Sequence, residues 1–199
     1  TCLCMGAGLN IAQGVEKVEP DTTCFAFVGD STFFASAITG VVNAVYNQAN
    51  MVLIVLDNST TAMTGHQPHP GTGQTVMGEI VQKINIEQVL RGIGVTEIET
   101  INPLELEASV SCVKRMAEKT GVRAIIFKAP CIAVTKPKAP LHVDQDSCIG
   151  CKKCIRDLGC PAIVMNDGKI CIDASMCTGC RLCSQVCPVC AIAGGDDYE

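Results

Sequence analysis

The 199-residue sequence contains no tryptophan, and only 4% of its residues are aromatic. Proteins that bind single-stranded nucleic acid stack the bases on aromatic side chains, so a binding surface of that kind is excluded. The sequence also lacks an excess of positive charge, because 15 Lys and Arg residues against 20 Asp and Glu residues leave a formal charge of −5. An acidic chain lacks the basic surface that binds the phosphates of DNA or RNA, so we expect no nucleic-acid partner.

Long hydrophobic runs are missing as well. The longest apolar segment, Met51 to Leu56, has the length of a strand and falls short of the roughly 18 residues that a membrane span needs. No signal-peptide pattern opens the chain, and a first residue of threonine indicates that residue 1 is not the native start. We therefore expect a cytoplasmic protein that does not contact the membrane.

Cysteine, in contrast, is abundant. The chain has 15 cysteines, and an odd number cannot all be paired in disulfides. Nine of them lie between Cys148 and Cys187, most of them separated by two residues. Thiols at that spacing converge on a metal centre more readily than they form disulfides. This usage indicates a reducing, anaerobic cytoplasm.

The composition changes near residue 135. Before it, short apolar runs alternate with helical patterns. The predicted strands are residues 23–28, 51–56, 95–98 and 123–128, and the predicted helices are residues 31–48, 78–91 and 103–119. This alternation predicts an α/β domain over residues 1–134, with an open parallel sheet covered on both faces. Residues 135–141 are polar and proline-punctuated and predict a linker. Residues 142–199 predict a small module that needs disulfides or metals to fold.

The small module contains one cysteine motif twice. Each copy has three cysteines separated by two residues and a fourth that precedes a proline. The first copy consists of Cys148, Cys151, Cys154 and Cys160, and the second of Cys177, Cys180, Cys183 and Cys187. The second copy has the spacing of the bacterial iron–sulfur run, whereas the first is two residues longer in its last gap. Two structural zinc sites are the alternative, because four cysteines per site also satisfy zinc.

This module resembles ferredoxins that carry two [4Fe-4S] clusters, which are small α+β proteins. In that family the fourth cysteine of each copy binds the cluster of the other copy. The resemblance implies a first cluster held by Cys148, Cys151, Cys154 and Cys187, and a second held by Cys177, Cys180, Cys183 and Cys160. It also implies one-electron transfer. Cys171 and Cys190 fall outside both copies and are interpreted as buried or free thiols.

Two strands of the first domain end in side chains that carry oxygen ligands. Gly29-Asp30-Ser31 follows the first strand, and Asp57-Asn58 follows the second. Asp30 and Asn58 suit Mg²⁺, which usually shares its oxygen ligands with phosphates. The turn at Gly29 lets backbone N–H groups at a helix start approach a diphosphate. The alternative is a plain strand-to-helix turn with the aspartate as the helix cap.

These residues resemble the thiamine-diphosphate motif, in which GDG is followed by NN. Here Ser31 replaces the last glycine and Asp57 replaces the first asparagine. The resemblance implies that Asp30, Asn58 and the main-chain carbonyl of Thr60 hold Mg²⁺. It also implies that Gly29 and Ser31 lie beside the cofactor.

Longer segments narrow the resemblance. GDSTFFASAITGVVNAVYN and VLDNSTTAMTGHQPHPGTG, together with the two-cluster module, resemble the alpha subunits of indolepyruvate:ferredoxin oxidoreductases over essentially the whole chain. The resemblance implies oxidative decarboxylation of an arylpyruvate to an acyl-coenzyme A and CO₂. It implies electron flow through the clusters to an external ferredoxin, and a beta subunit as partner. Pyruvate or another 2-oxo acid is the alternative substrate, and a non-catalytic electron-relay protein is the alternative function.

The loop after the second strand carries two histidines. More distant 2-oxoacid:ferredoxin oxidoreductases have a TGGQ-like segment where this chain has Thr64-Gly65-His66-Gln67, which implies that Thr64 and Gly65 contact the cofactor. His66 and His69 are candidate catalytic residues that hold substrate or transfer protons. Alternatively, they are hydrogen-bonded loop histidines. Thiamine enzymes of this kind also need a domain whose glutamate activates the aminopyrimidine, and we expect it from a removed N-terminal half or another chain.

Overall fold

The computed structural model describes residues 3–194. They divide into two compact units between Cys131 and Ile132. The first unit alternates helices and strands. Its elements are α1 (Ala7–Val18), β1 (Cys24–Gly29), α2 (Asp30–Thr32), a π-helical segment (Phe33–Ala37), α3 (Ile38–Tyr46), β2 (Met51–Asp57), a 3₁₀ helix (Ala62–Thr64), α4 (Ile86–Ile93), β3 (Glu97–Ile101), α5 (Leu106–Glu118) and β4 (Val122–Lys128). The predicted α/β class is therefore confirmed.

The four strands form one sheet in the order β1-β2-β4-β3, and every neighbouring pair is parallel. Strand β2 lies in the interior of this sheet, which explains its continuous apolar sequence. Because all four strands run in one direction, their carboxyl ends share one edge. The loops after β1 and β2 are therefore neighbours.

Side chains of β2 alternate between two hydrophobic cores. Met51, Leu53 and Val55 face the core shared with helices α1, α3 and α4. Val52 and Ile54 face a second core, to which α5 contributes the buried Cys112 and Met116. The sheet is thus covered on both faces, as its apolar strands predicted.

One predicted helix, residues 78–91, begins later than predicted, and one helix was not predicted. Residues 78–85 are not helical, and α4 begins only at Ile86, where the Asn85 side chain caps the helix by accepting the Gln88 N–H at 3.1 Å. Gly78 has φ 90°, a left-handed conformation that breaks the helical pattern. Helix α1 was not predicted, because Gly8 and Gly14 weaken its helical signal.

The second unit is a small α+β arrangement. Its elements are a 3₁₀ helix (Ile132–Val134), β5 (Leu141–Val143), α6 (Lys153–Leu158), β6 (Ile163–Asn166), β7 (Lys169–Ile172), α7 (Leu182–Val186) and β8 (Ile192–Gly194). Strand β5 pairs antiparallel with β8, and β6 pairs antiparallel with β7. Leu141, predicted as the last linker residue, is the first residue of β5. Within residues 3–194, no helix has the length and apolarity to cross a lipid bilayer.

The sequence repeat is visible as a structural repeat. The carbonyl of Asp144 accepts the N–H of Cys148 at 3.0 Å, and the carbonyl of Asp173 accepts the N–H of Cys177 at 3.0 Å. In each half, the residue before the short helix, Lys152 or Arg181, has a left-handed backbone. The two motif copies therefore adopt matching turns around their first three cysteines.

Candidate functional site

The carboxylate of Asp30 lies buried at the junction of β1 and α2, with 2% of the residue exposed. Its Oδ1 accepts the backbone N–H of Ser31 at 2.7 Å, and its Oδ2 accepts the backbone N–H of Ser59 at 2.8 Å. An ionised carboxylate in a buried place requires such donors. The two bonds hold Asp30 at the carboxyl-terminal edge of the sheet.

The loop after β2 contains further oxygen donors and contacts this carboxylate through the backbone N–H of Ser59. Oδ1 of Asn58 accepts the N–H of the buried Thr60 at 3.1 Å, which turns the loop back on itself. Ser59, between them, reaches Asp30 through its backbone N–H. A carboxylate, an amide oxygen and a main-chain carbonyl are hard donors of the kind that Mg²⁺ prefers, so the residues present fit this metal.

Gly29 leaves open space at the end of β1. Its backbone is extended (φ −74°, ψ 158°), and a Cβ added there would meet nothing within 4 Å. Together with Gly6, Thr32 and Met63 it lines a cavity of about 530 Å³. This open space beside a helix start fits a bound diphosphate.

The two histidines occupy different environments. His69 is buried, its Nε2 lies 3.2 Å from Oδ2 of Asp30, and its ring stacks on Phe34 with 5.8 Å between ring centroids. His66 is exposed and has a left-handed backbone (φ 63°), and its N–H donates to the carbonyl of Thr61 at 3.0 Å. The structure thus brings His69, and not His66, next to the predicted metal ligands.

Thr64 and Gly65 lie on the exposed part of the same loop. The hydroxyl of Thr64 donates to Oε1 of Gln67 at 2.7 Å, and Gly65 is left-handed with φ 112°. These contacts shape the loop itself. The predicted role of both residues as cofactor ligands therefore stays a prediction.

Four cysteines from both motif copies line one cavity in the second unit. They are Cys148, Cys151, Cys154 and Cys187. The other lining residues are mostly apolar, and the N–H of Ala191 donates to Sγ of Cys187 at 3.3 Å. Burial raises the pKa of Cys154, and the neighbouring thiols of Cys151 and Cys187 raise it further. The crossing cysteine of the second copy thus lies with the first three of the first copy.

The second crossed set consists of Cys177, Cys180, Cys183 and Cys160, and the other three members influence the pKa of Cys183. Burial raises the pKa of Cys183 to about 11, and the thiols of Cys180, Cys160 and Cys177 add to this increase. Cys160, the crossing cysteine of the first copy, therefore lies close enough to interact electrostatically with the second set. Thiols with raised pKa values stay protonated at neutral pH, so metal binding there releases protons.

No group of three or more His, Cys, Asp or Glu side chains within residues 3–194 is arranged to hold a single metal ion. The cysteines of a cubane bind separate iron atoms, which spaces them more widely than ligands of one ion. Cys171, on β7, is half-buried, whereas Cys190 is exposed and has φ 51°.

Residues 1–127 match the family described as thiamine pyrophosphate enzyme, C-terminal TPP binding domain. The chain belongs to this family. The match ends at residue 127, within strand β4 and four residues before the division between the two units. Thiamine pyrophosphate is the same cofactor as thiamine diphosphate, so the cofactor indicated by the motif agrees with the family.

Curated relatives extend the similarity beyond the TPP-binding domain. The indolepyruvate oxidoreductase subunit IorA of Methanothermobacter thermautotrophicus is 42% identical over 192 residues, 96% of this chain. The subunit of the same name from Archaeoglobus fulgidus is 38% identical over 196 residues. In both cases the match covers 31% of the relative, so the chain spans about a third of their length.

A solved structure shares its fold with about two thirds of the chain. It is the 2-oxoglutarate:ferredoxin oxidoreductase from Magnetococcus marinus, with 2-oxoglutarate, coenzyme A and succinyl-CoA bound. The match has a TM-score of 0.58 at 19% identity and covers 66% of this chain and 47% of that chain. At this level of identity the likeness concerns the fold.

Two contributors to the site of the TPP-binding domain were missed by sequence reasoning. Ser59 acts through its backbone N–H, which no side-chain pattern reveals. Gly71 packs against His69 and donates its N–H to Nδ1 of that ring at 3.1 Å. The only available signal was the dense turn sequence HPGT, in which a glycine follows a proline.

Proposed function

We propose that this chain is the cofactor-diphosphate and electron-transfer part of a thiamine-diphosphate-dependent 2-oxoacid:ferredoxin oxidoreductase that acts on arylpyruvates such as indolepyruvate. In the overall reaction a 2-oxo acid, coenzyme A and two oxidised ferredoxins yield an acyl-coenzyme A, CO₂, a proton and two reduced ferredoxins. Indolepyruvate is favoured because the relatives at 38–42% identity are named for it.

The buried carboxylate of Asp30 is the observation that carries the proposal. It lies at the carboxyl-terminal edge of a parallel sheet, and a loop N–H from Ser59 and a helix N–H from Ser31 hold it in place. Ligands of open α/β sheets bind at this edge. Asp30, Asn58 and the carbonyl of Thr60 would hold Mg²⁺, which would neutralise the cofactor diphosphate.

The bound thiamine diphosphate supplies the electron sink for loss of CO₂. This chain's own residues have other tasks. Asp30 and Asn58 orient the metal, and the open space at Gly29 admits the diphosphate. The activating glutamate and the substrate pocket would come from a further domain and from a beta subunit.

The second unit would carry the electrons. Two [4Fe-4S] clusters would be held by the two crossed cysteine sets, because each set combines three cysteines of one motif copy with the fourth of the other. Most residues that line the cavity of the first set are apolar, which limits water access and tunes a cluster's potential. An external ferredoxin would accept the electrons one at a time.

The substrate is tested by anaerobic viologen reduction with the native complex, coenzyme A and a panel of 2-oxo acids. We expect fast reduction with indolepyruvate or phenylpyruvate and little with pyruvate. A preference for pyruvate would retain the reaction type and reject the arylpyruvate assignment. No reduction by any oxo acid, with cofactor and both clusters present, would instead support an electron-relay protein.

The cofactor site is tested by Asp30→Ala in the complete enzyme. We expect loss of bound thiamine diphosphate while the iron content stays unchanged, because the cysteine sets lie in the other unit. Asp21→Ala is the matched control, since this exposed carboxylate precedes the same strand β1 at its opposite end. Retention of the cofactor by Asp30→Ala would overturn the metal-site assignment.

A further inference from the structure

We infer that His69 is a positioning residue that orients the Asp30 carboxylate for its metal, rather than a residue that touches substrate. The inference rests on the proposed Mg²⁺ site. Its starting point is the contact between Nε2 of His69 and Oδ2 of Asp30, which are 3.2 Å apart with both side chains at most 5% exposed. His69 borders a cavity of about 190 Å³ together with Asp57 and Lys83, but with 5% of its side chain exposed it offers little surface for contact with a substrate.

The hydrogen-bond pattern fixes which ring nitrogen carries the proton. The backbone N–H of Gly71 donates to Nδ1 of His69 at 3.1 Å, so Nδ1 serves as an acceptor. The proton of the neutral imidazole therefore lies on Nε2, the atom that faces Asp30. His69 thus presents a donor to the carboxylate.

That donor is not yet satisfied. Nε2 of His69 is buried and has no hydrogen-bond partner of acceptable geometry, although Oδ2 of Asp30 is within contact distance. An unpaired buried donor is costly, and a small rotation of the carboxylate would align it. The buried N–H is therefore placed to hold the Asp30 carboxylate when that carboxylate binds a metal.

The surroundings hold the ring in this place. Phe34 stacks on one face, with an interplanar angle of 30°. A Cβ added to Gly71 would lie 3.0 Å from Cε1 of His69 and 3.1 Å from Phe34, so either ring would have to shift by a few tenths of an ångström to make room for it. The turn from His69 to Thr72 is closed by an N–H to carbonyl bond of 2.9 Å.

Partners that hydrogen-bond a metal-ligating carboxylate typically change metal affinity by 10–100-fold when they are replaced. The test compares His69→Gln with His69→Asn. The glutamine amide can reach the position of Nε2 and donate to Asp30, whereas the shorter asparagine can reach only the position of Nδ1. Both variants lose the ring and its stacking on Phe34, so the pair isolates the donor.

The measurement is Mn²⁺ affinity, read from the electron paramagnetic resonance signal of free Mn²⁺. The full-length oxidoreductase complex is stripped of metal, oxidised so that its clusters are silent, and titrated with Mn²⁺ in the presence of thiamine diphosphate. We expect affinity within about threefold of wild type for His69→Gln and a loss of about 10–100-fold for His69→Asn. Glu79→Gln, an exposed change in the same loop, is the control and should match wild type.

Gly71→Ala is the second variant, because it keeps the imidazole and displaces it. We expect weaker Mn²⁺ binding there as well. Wild-type affinity in His69→Asn or in Gly71→Ala would overturn the inference, as would an equal loss in His69→Gln and His69→Asn with unfolding midpoints unchanged. Failure of the wild-type complex to bind Mn²⁺ would contradict the proposed metal site instead.

Discussion

The backbone N–H of Ser59 donates to Oδ2 of Asp30 over 2.8 Å, which ties the loop after β2 to the start of α2. The same N–H lies 3.1 Å from Oδ1 of Asp57. Ser59 has a left-handed backbone with φ 62°. That conformation turns its N–H toward both carboxylates, so the path of the loop contributes directly to the position of Asp30.

Ser59→Gly and Ser59→Val test this dependence on backbone conformation. Glycine adopts the left-handed region freely, so we expect unchanged Mg²⁺-dependent cofactor binding and a free energy of unfolding unchanged or higher by up to about 1 kcal/mol. Valine is β-branched and resists that region, so we expect a loss of about 1–2 kcal/mol and weaker cofactor binding. Urea unfolding and a cofactor titration measure both effects. Equal behaviour of the two variants would show that the loop path is not the determinant.

The crossed cysteine sets give a second prediction. Cys187 lies with Cys148 around one cavity, whereas Cys160 belongs to the other set. Replacing Cys187 and Cys148 together should remove the same cluster as Cys187→Ser alone, with about half of the iron lost. Replacing Cys148 and Cys160 together should remove both clusters. Iron analysis and electron paramagnetic resonance of the reduced protein measure these losses.

Cys190→Ser provides the matched control for these substitutions. Cys190 is exposed and lies three residues after Cys187, outside the cysteines that line the cavity of the first set. We expect it to retain wild-type iron and an unchanged signal. If Cys148→Ser with Cys187→Ser removed both clusters while each single variant removed a different one, the crossed pairing would be wrong.

The sheet could be predicted from sequence because its strands are continuous apolar runs. The run from Met51 to Val55 is buried throughout, which is typical of a strand in a parallel sheet covered on both faces. The carboxyl ends of such strands share an edge, so the strand pattern alone placed Asp30 and Asn58 in neighbouring loops. The repeated cysteine spacing likewise indicated two sets of sulfur ligands.

The finer geometry of the site could not be predicted, because it depends on backbone atoms and on long-range packing. The pattern of side chains does not predict that the backbone N–H groups of Ser59 and Gly71 bind Asp30 and His69. His66 and His69 are three residues apart in one polar loop, and only the fold shows that one is exposed and the other buried. The helix predicted to begin at Gly78 begins instead at Ile86, where the Asn85 side chain caps it.

A buried guanidinium in β4 gives a third prediction. Arg123 is 1% exposed, and its Nη1 donates to Oδ1 of Asn50 and to the carbonyl of Gly121, the latter at 2.7 Å. Burial lowers the pKa of Arg123. Asn50→Ala leaves the charge buried with fewer acceptors, so we expect a loss of about 1–3 kcal/mol. Arg123→Met removes the charge and fills similar space, so we expect a smaller loss. Urea unfolding ranks the two, and a larger loss for Arg123→Met would contradict this account.

The thiol of Cys112 on α5 gives a prediction for alkaline pH. Burial and a hydrogen bond with Glu99 raise its pKa from 9.0 to about 11. The unfolded chain therefore loses the thiol proton first, so stability is fully present below about pH 9 and is lost as the pH rises toward 11. A shift of this size corresponds to at most roughly 2–3 kcal/mol.

Other groups titrate in the same range, so Cys112→Ala is the comparison that isolates this thiol. We expect the free energy of unfolding of the wild-type protein to fall more steeply between about pH 9 and pH 11 than that of Cys112→Ala. Glu99→Gln should give an intermediate slope, because it removes the negative charge beside the thiol and leaves a weaker, neutral acceptor while the thiol stays buried. Urea unfolding at closely spaced pH values measures the slopes. Equal slopes for wild type and Cys112→Ala would mean that the pKa of this thiol is no higher in the folded protein than in the unfolded chain.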